Sequence, residues 1–252
     1  MLEGITTGYE DRFDFPARDG PPGKSYLLAS VPRAGSTFVS HLFWSTGCFG
    51  APLEYLNFEP SGPYGDASGR PDQQMHLWNN ALVKRTSPNG VFGLKTFPGQ
   101  LHHLQQANPA LVDEAIRFLV GPGSGRKVVQ LRRRDKTAHA ISYARAMLSG
   151  IWRKEQEGEG RDEPEYSEIA LQRAAKMIEQ QEDGWEAMYR DIGIVPLVLW
   201  FEDVLAEPAA AIAQVGNYLG VSIDPAAAID VPRIERQDQQ GAKAWAQRHA
   251  ES

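Results

Sequence analysis

Two stretches of this 252-residue chain carry residue types suited to holding an anion. The first reads VPRAGST over residues 31–37, where Arg33 supplies a fixed charge, Gly35 lets the backbone approach a ligand closely, and Ser36 and Thr37 add hydroxyl donors. Read as a strand, a tight turn and a helix start, it points the N–H groups from about Gly35 to Phe38 outward at the positive end of a helix. Arg33, Ala34, Gly35, Ser36 and Thr37 then form a phosphate cradle. The Lys-Ser/Thr ending of an ATP-binding loop is missing. The second stretch is LRRRDK, residues 131–136, in which three arginines follow an apolar run. Arg134 at the strand end and Ser142, eight positions on and about two helical turns in, can converge on one phosphate. Each stretch alone also fits a plainer reading: an ordinary strand–helix turn capped by Ser36, and a solvated basic cluster.

Both stretches need a scaffold that gathers strand ends. Apolar, β-rich runs at 26–31, 91–97, 128–131 and 194–201 alternate with helical spacing at 36–46, 73–86, 110–119, 136–149, 167–191, 206–219 and 241–249. That alternation predicts an α/β fold with a central parallel sheet flanked by helices, its ligand crevice at the carboxyl ends of the strands. Residues 1–24, rich in Gly, Pro and Asp, read as an irregular lead-in, and 25–252 as one domain. Charges together with Gly158 and Gly160 mark 155–165 as an exposed, mobile loop.

Composition removes several functions. With 42% apolar and 10% aromatic residues the chain can bury a real core. A formal net charge of −6 argues against a nucleic-acid partner, so any anion site is local. The single cysteine, Cys48, allows neither a disulfide framework nor a thiolate metal cluster and suits a reducing cytoplasm. No signal-peptide pattern opens the chain, and no run approaches the roughly 18 apolar residues of a transmembrane segment.

The pairing of PRAGST with the Arg134-to-Ser142 spacing resembles the two nucleotide signatures of sulfotransferases that use 3′-phosphoadenosine-5′-phosphosulfate (PAPS). In that family the first loop holds the 5′-phosphosulfate and the arginine–serine pair the 3′-phosphate. Cytosolic members commonly have a lysine where this chain has Arg33, a change that keeps the charge and gains a planar fork. A donor that already carries an activated sulfuryl group needs no Mg²⁺ between terminal phosphates, which accounts for the missing ATP-loop ending. The resemblance therefore implies PAPS as co-substrate, adenosine 3′,5′-bisphosphate (PAP) as product and no metal.

Further segments extend the likeness. LKTFPGQL, residues 94–101, looks like the family segment with a lysine and a histidine two apart at the active site; Lys95 is present, but Phe97 stands in the histidine's place. LWFEDVLAEP, residues 199–208, resembles a strand end that helps hold adenine, with Phe201 replacing a tyrosine. Lacking that histidine, the chain needs another group to take the acceptor's proton. In TGCFGAPLEYLNFEP, residues 46–60, Gly47, Gly50 and Pro52 force an irregular path that delivers Glu54 and Tyr55 near the crevice, with Glu54 the candidate base. A helix cap or a surface ion pair is the plainer role for such a glutamate. This segment, with FGLK and LRRRDK, resembles the bacterial trehalose 2-sulfotransferase-like branch, in which a glutamate at the matching position is proposed as base. That likeness implies a carbohydrate or other hydroxyl acceptor and a homodimer, and it extends to RQDQQGAKAWAQRH, residues 236–249. A C-terminal basic loop closes over the nucleotide in sulfotransferases generally, which implicates Arg233, Arg236 and Gln237.

Other candidates carry less. His41, on the first helix, is a reserve base; His139 borders the second signature; His102 and His103 project about 100° apart on a helix and cannot easily share an ion. An exposed tryptophan among the six would suit a sugar face or adenine. Two other functions share parts of this pattern: a P-loop kinase that has drifted from its motif, and a non-catalytic nucleotide-binding module.

Overall fold

The computed structural model describes residues 6–16, 20–157, 163–234, 237 and 239–251. Among them, strands β1 (Lys24–Ala29), β2 (Val91–Thr96), β3 (Lys127–Arg132) and β4 (Leu197–Trp200) form one sheet in the order β2-β1-β3-β4. Every neighbouring pair is parallel, as the alternation predicts. Nine α-helices accompany it among the described residues: α1 (Ser36–Ser45), α2 (Pro71–Lys84), α3 (Pro98–Ala107), α4 (Pro109–Val120), α5 (Lys136–Ser149), α6 (Glu168–Ile192), α7 (Phe201–Ala206), α8 (Pro208–Leu219) and α9 (Gln240–Glu251).

The central strands are continuous apolar runs because both faces are covered. Leu27 and Ala29 pack with Phe92, Leu94 and Val128 under α2, α4 and Trp185 of α6, while Tyr26 and Leu28 point the other way, to α1, α8, Val129 and Leu199. A third cluster joins α5, α6 and Trp245 of α9. At roughly 1.5–3 kcal/mol for each large apolar side chain buried, these clusters are what holds the strand tips in register.

Several boundaries differ from the expected ones, and proline accounts for most. The polar tract after β2 is a helix, α3, which Pro98 starts and which buries only Gln100 and Leu104, too few apolar positions to show as a period. The helix expected at 206–219 begins at Pro208, which cannot continue a helix from α7 because it lacks an N–H and clashes with the preceding turn. The strand expected at 194–201 shortens to β4, with Phe201 already in α7.

Ahead of β1, residues 6–16 carry one short 3-10 turn, Asp11–Phe13, and are held against the domain. Arg85, only 4% exposed, donates to the carbonyls of Gly8 (2.9 Å), Tyr9 (2.9 Å) and Glu10 (3.2 Å) and pairs with Asp14 at 3.0 Å. Of the loop expected at 155–165, residues 158–162 lie outside the described residues.

Candidate active site

Parallel strands put the turns after β1, β2, β3 and β4 on one edge. After β1, Gly35 is the N-cap of α1 at φ 90°, and a Cβ there would lie 2.2 Å from the Phe201 ring. Glycine is required twice over, by its dihedral and by the ring packed against it. The first N–H groups of α1 have no partner within the helix. Arg33 also has positive φ, 70°, which turns its side chain across the loop. Its Nε donates to Ser142 Oγ (3.0 Å), one terminal nitrogen to the Trp152 carbonyl (2.5 Å) and the other to Gln237 Oε1. All three acceptors are neutral, and among the described residues no carboxylate pairs with it. Burial, reinforced by Arg145 and Arg133, pulls the Arg33 guanidinium down to about 10. Glu157 opposes that shift from a distance, so Arg33 is a partly buried cation whose direct partners are all neutral, an environment that an anionic ligand fits. His139 supports the loop from below, its Nε2–H donating to the Pro32 carbonyl at 2.8 Å; burial lowers its pKa to about 4, so it stays neutral.

The chain leaving α1 runs beside β2: Leu53 forms a parallel bridge with Leu94, and Lys95 N donates to Leu53 O at 3.0 Å. That pairing sets Glu54 next to Lys95. Lys95 Nζ lies 3.0 Å from Glu54 Oε1 and 3.5 Å from Thr37 Oγ1, so one ammonium links the glutamate to the loop. Glu54 Oε2 accepts from Asn57 Nδ2 (3.0 Å) and Gln100 Nε2 (2.6 Å), and its backbone N–H donates to the Tyr9 hydroxyl (2.9 Å). Burial pushes the Glu54 carboxyl up, but the Lys95 charge and the hydrogen bonds from Lys95, Asn57 and Gln100 outweigh it and hold it below its ordinary value. Burial lowers Lys95 as well, against the opposing pull of Glu54.

The three arginines after β3 have separate fates. Arg132 pairs with Glu182 (2.8 Å) and Glu186 (3.0 Å) on α6. Arg134 makes a two-pronged, solvent-exposed pair with Asp203 on α7, so it does not meet Ser142, whose hydroxyl accepts from Arg33 instead. Arg133 is the one turned to the loop: it donates to the Arg33 carbonyl at 3.4 Å and lies over the Phe201 ring at 5.9 Å.

A cavity of about 1490 Å³ has Arg33, Ser36, Thr37 and Glu54 on its wall, whereas Lys95, Arg133, Ser142 and Phe201 stand behind it. Phe97 lines it, and so does Trp152, which is 40% exposed and meets Tyr143 edge to face at 6.0 Å. Tyr55, expected beside the acceptor, is fully buried instead, its hydroxyl bonded to the Ala51 carbonyl. It is Tyr9, from the segment ahead of β1, that reaches the wall. His41 is buried, its Nδ1–H donating to the Pro232 carbonyl (2.9 Å), and burial lowers it to about 4. Arg236 lies outside the described residues. Sequence reasoning missed Asn57, Gln100, Arg153 and Tyr9, all on the cavity wall. Gln100 and Asn57 left a signal, lying within the quoted LKTFPGQL and TGCFGAPLEYLNFEP segments.

A family model described as Stf0 sulphotransferase matches residues 25–252. The trehalose 2-sulfotransferase of Mycobacterium tuberculosis is 28% identical over 258 residues, covering 90% of this chain and 94% of that protein. The trehalose 2-sulfotransferase of Mycolicibacterium smegmatis is 27% identical over 262 residues, covering 89% and 94%. A solved sulfotransferase domain from the Synechococcus PCC 7002 olefin synthase covers 94% of this chain and 98% of its own at 13% identity, with a TM-score of 0.46.

Proposed function

This chain belongs to the Stf0 sulphotransferase family, and from that premise we propose that it transfers the sulfuryl group of PAPS to a sugar hydroxyl with Glu54 as general base. One observation carries the reading: Lys95 lies within 3.0 Å of Glu54 and 3.5 Å of Thr37, which joins a carboxylate, a buried cation and the anion loop in a single cluster. The donor, when bound, supplies an activated sulfuryl group. The Arg33 charge, whose direct partners are neutral, and the first N–H groups of α1 favour such a ligand at the loop. Arg133 and Ser142 are the groups suited to its 3′-phosphate, and Phe201 to its adenine.

Glu54 is held by Asn57 and Gln100 on one oxygen and by Lys95 on the other, so its orientation is set before an acceptor arrives. A carboxylate with a lowered pKa suffices as base when the hydroxyl gives up its proton late, as its oxygen bonds to sulfur. Lys95 and Arg33 offset the negative charge that grows at the loop. The exposed Trp152 face and the polar side chains of the wall suit a carbohydrate, which presents C–H faces and hydroxyl edges. The likeness to two trehalose 2-sulfotransferases favours a disaccharide of that kind.

The test is transfer of radiolabelled sulfate from PAPS to a panel of sugars, with calorimetry of PAP against ATP·Mg²⁺. Labelled sugar and tighter binding of PAP are expected. Tighter binding of ATP·Mg²⁺ would instead make the site a phosphotransferase.

A further inference from the structure

Tyr9 belongs to none of the motifs and precedes residues 25–252, which the family model matches, yet its ring stands on the cavity wall beside Glu54. It is placed there firmly. The Glu10 carboxylate accepts from Thr7 N (2.7 Å) and Gly8 N (2.8 Å), shaping the turn around it, and Arg85 grips the Gly8, Tyr9 and Glu10 carbonyls from behind. The ring meets Tyr55 edge to face at 6.2 Å and Tyr64 at 5.4 Å.

The hydrogen bonding of the phenol is incomplete. Its oxygen accepts from Glu54 N at 2.9 Å, but among the described residues nothing accepts its proton. Burial, and then the Glu54 charge, raise the phenol well above its ordinary pKa, so it keeps its proton at neutral pH, where Glu54 is a carboxylate. A half-buried O–H on the wall of a cavity, next to the candidate base, calls for an oxygen acceptor on the molecule that enters.

We infer that Tyr9 is an acceptor-binding residue, donating its phenol proton to an oxygen of the sugar whose hydroxyl Glu54 deprotonates; this rests on the reading of Glu54 given above. The segment ahead of β1 thus forms part of the acceptor site and helps select what is sulfated. Tyr9 is in place to recognise a polyhydroxylated acceptor rather than an aliphatic alcohol, because a second oxygen close to the reacting hydroxyl is needed to meet it.

The experiment uses Tyr9→Phe, which keeps the ring and its packing, in the full chain loaded with PAP. Saturation-transfer NMR measures binding of trehalose, maltose and sucrose, then of monodeoxy analogues of whichever binds. Tyr9→Phe is expected to weaken sugar binding roughly five- to tenfold, the worth of one neutral hydrogen bond. PAP affinity stays unchanged. One monodeoxy analogue should bind wild type and variant equally, because the oxygen that receives the proton is gone, whereas a merely structural loss would weaken every sugar alike. Sugar binding that is unaffected by the substitution, undetectable in both proteins, or weakened equally for all analogues would overturn the inference. Undiminished turnover by Glu54→Gln would remove the base and leave the Tyr9-dependent binding standing, so the two failures are told apart.

Discussion

Lys95 Nζ sits 3.0 Å from Glu54 Oε1, and the two side chains are only 2% and 14% exposed. Burial by itself would raise the Glu54 pKa, and Lys95 is the foremost influence reversing that. The wild-type carboxyl therefore titrates below the ordinary 4.5, and the acid limb of kcat/KM lies below that pH. In Lys95→Met the upward push of burial is no longer opposed by the ammonium. The limb moves to higher pH, and turnover falls on the order of 10²–10³-fold as charge stabilisation is lost. A pH–rate profile of both proteins checks this, and an unmoved acid limb would separate Lys95 from the state of the base.

Gly35 and Phe201 are coupled through space. Gly35→Ala places a Cβ 2.2 Å from the ring at φ 90°, which adds steric overlap to a backbone cost of about 1–3 kcal/mol. In a Phe201→Ala background the overlap disappears and the backbone cost remains. Urea unfolding of the two single variants and the double variant should give a coupling energy of about 0.5–3 kcal/mol. Strict additivity would show that the ring has moved off the loop.

The arginines after β3 separate by partner. Arg133→Ala should weaken PAP binding by about 10–100-fold, the scale of a charge-assisted hydrogen bond. Arg134→Ala should change it by about twofold or less, since that side chain is committed to an exposed pair with Asp203. Titration calorimetry with PAP decides it, and a larger loss from Arg134→Ala would restore the pairing with Ser142 that the spacing suggested.

The parallel sheet and the loop of Arg33 to Thr37 were readable because each is local. An apolar run, a glycine at the turn and a helix start are contiguous in the chain, and residues buried on both faces leave an unbroken apolar signal. Glu54 was singled out from the irregular Gly- and Pro-rich path of its own segment, and its contact with Lys95 follows from the Leu53–Leu94 bridge. What stayed hidden depends on contacts between distant segments. Nothing in a Gly-rich lead-in announces that Arg85 will fold it against the site and deliver Tyr9. Three adjacent arginines look equivalent until each meets different partners, Arg132 at Glu182, Arg133 at the Arg33 carbonyl and Arg134 at Asp203. Tyr55 was misjudged because adjacent residues on an irregular path can face opposite ways, one into the cavity and one into the core.

The central claim is that Glu54 takes the acceptor's proton at a site where the donor is held by other residues. Its most direct test is the kcat of Glu54→Gln for sulfate transfer from PAPS to a sugar, measured alongside the Kd for PAP. The account predicts turnover lowered by roughly 10²-fold or more with PAP affinity unchanged. A variant that transfers sulfate at the wild-type rate would contradict it.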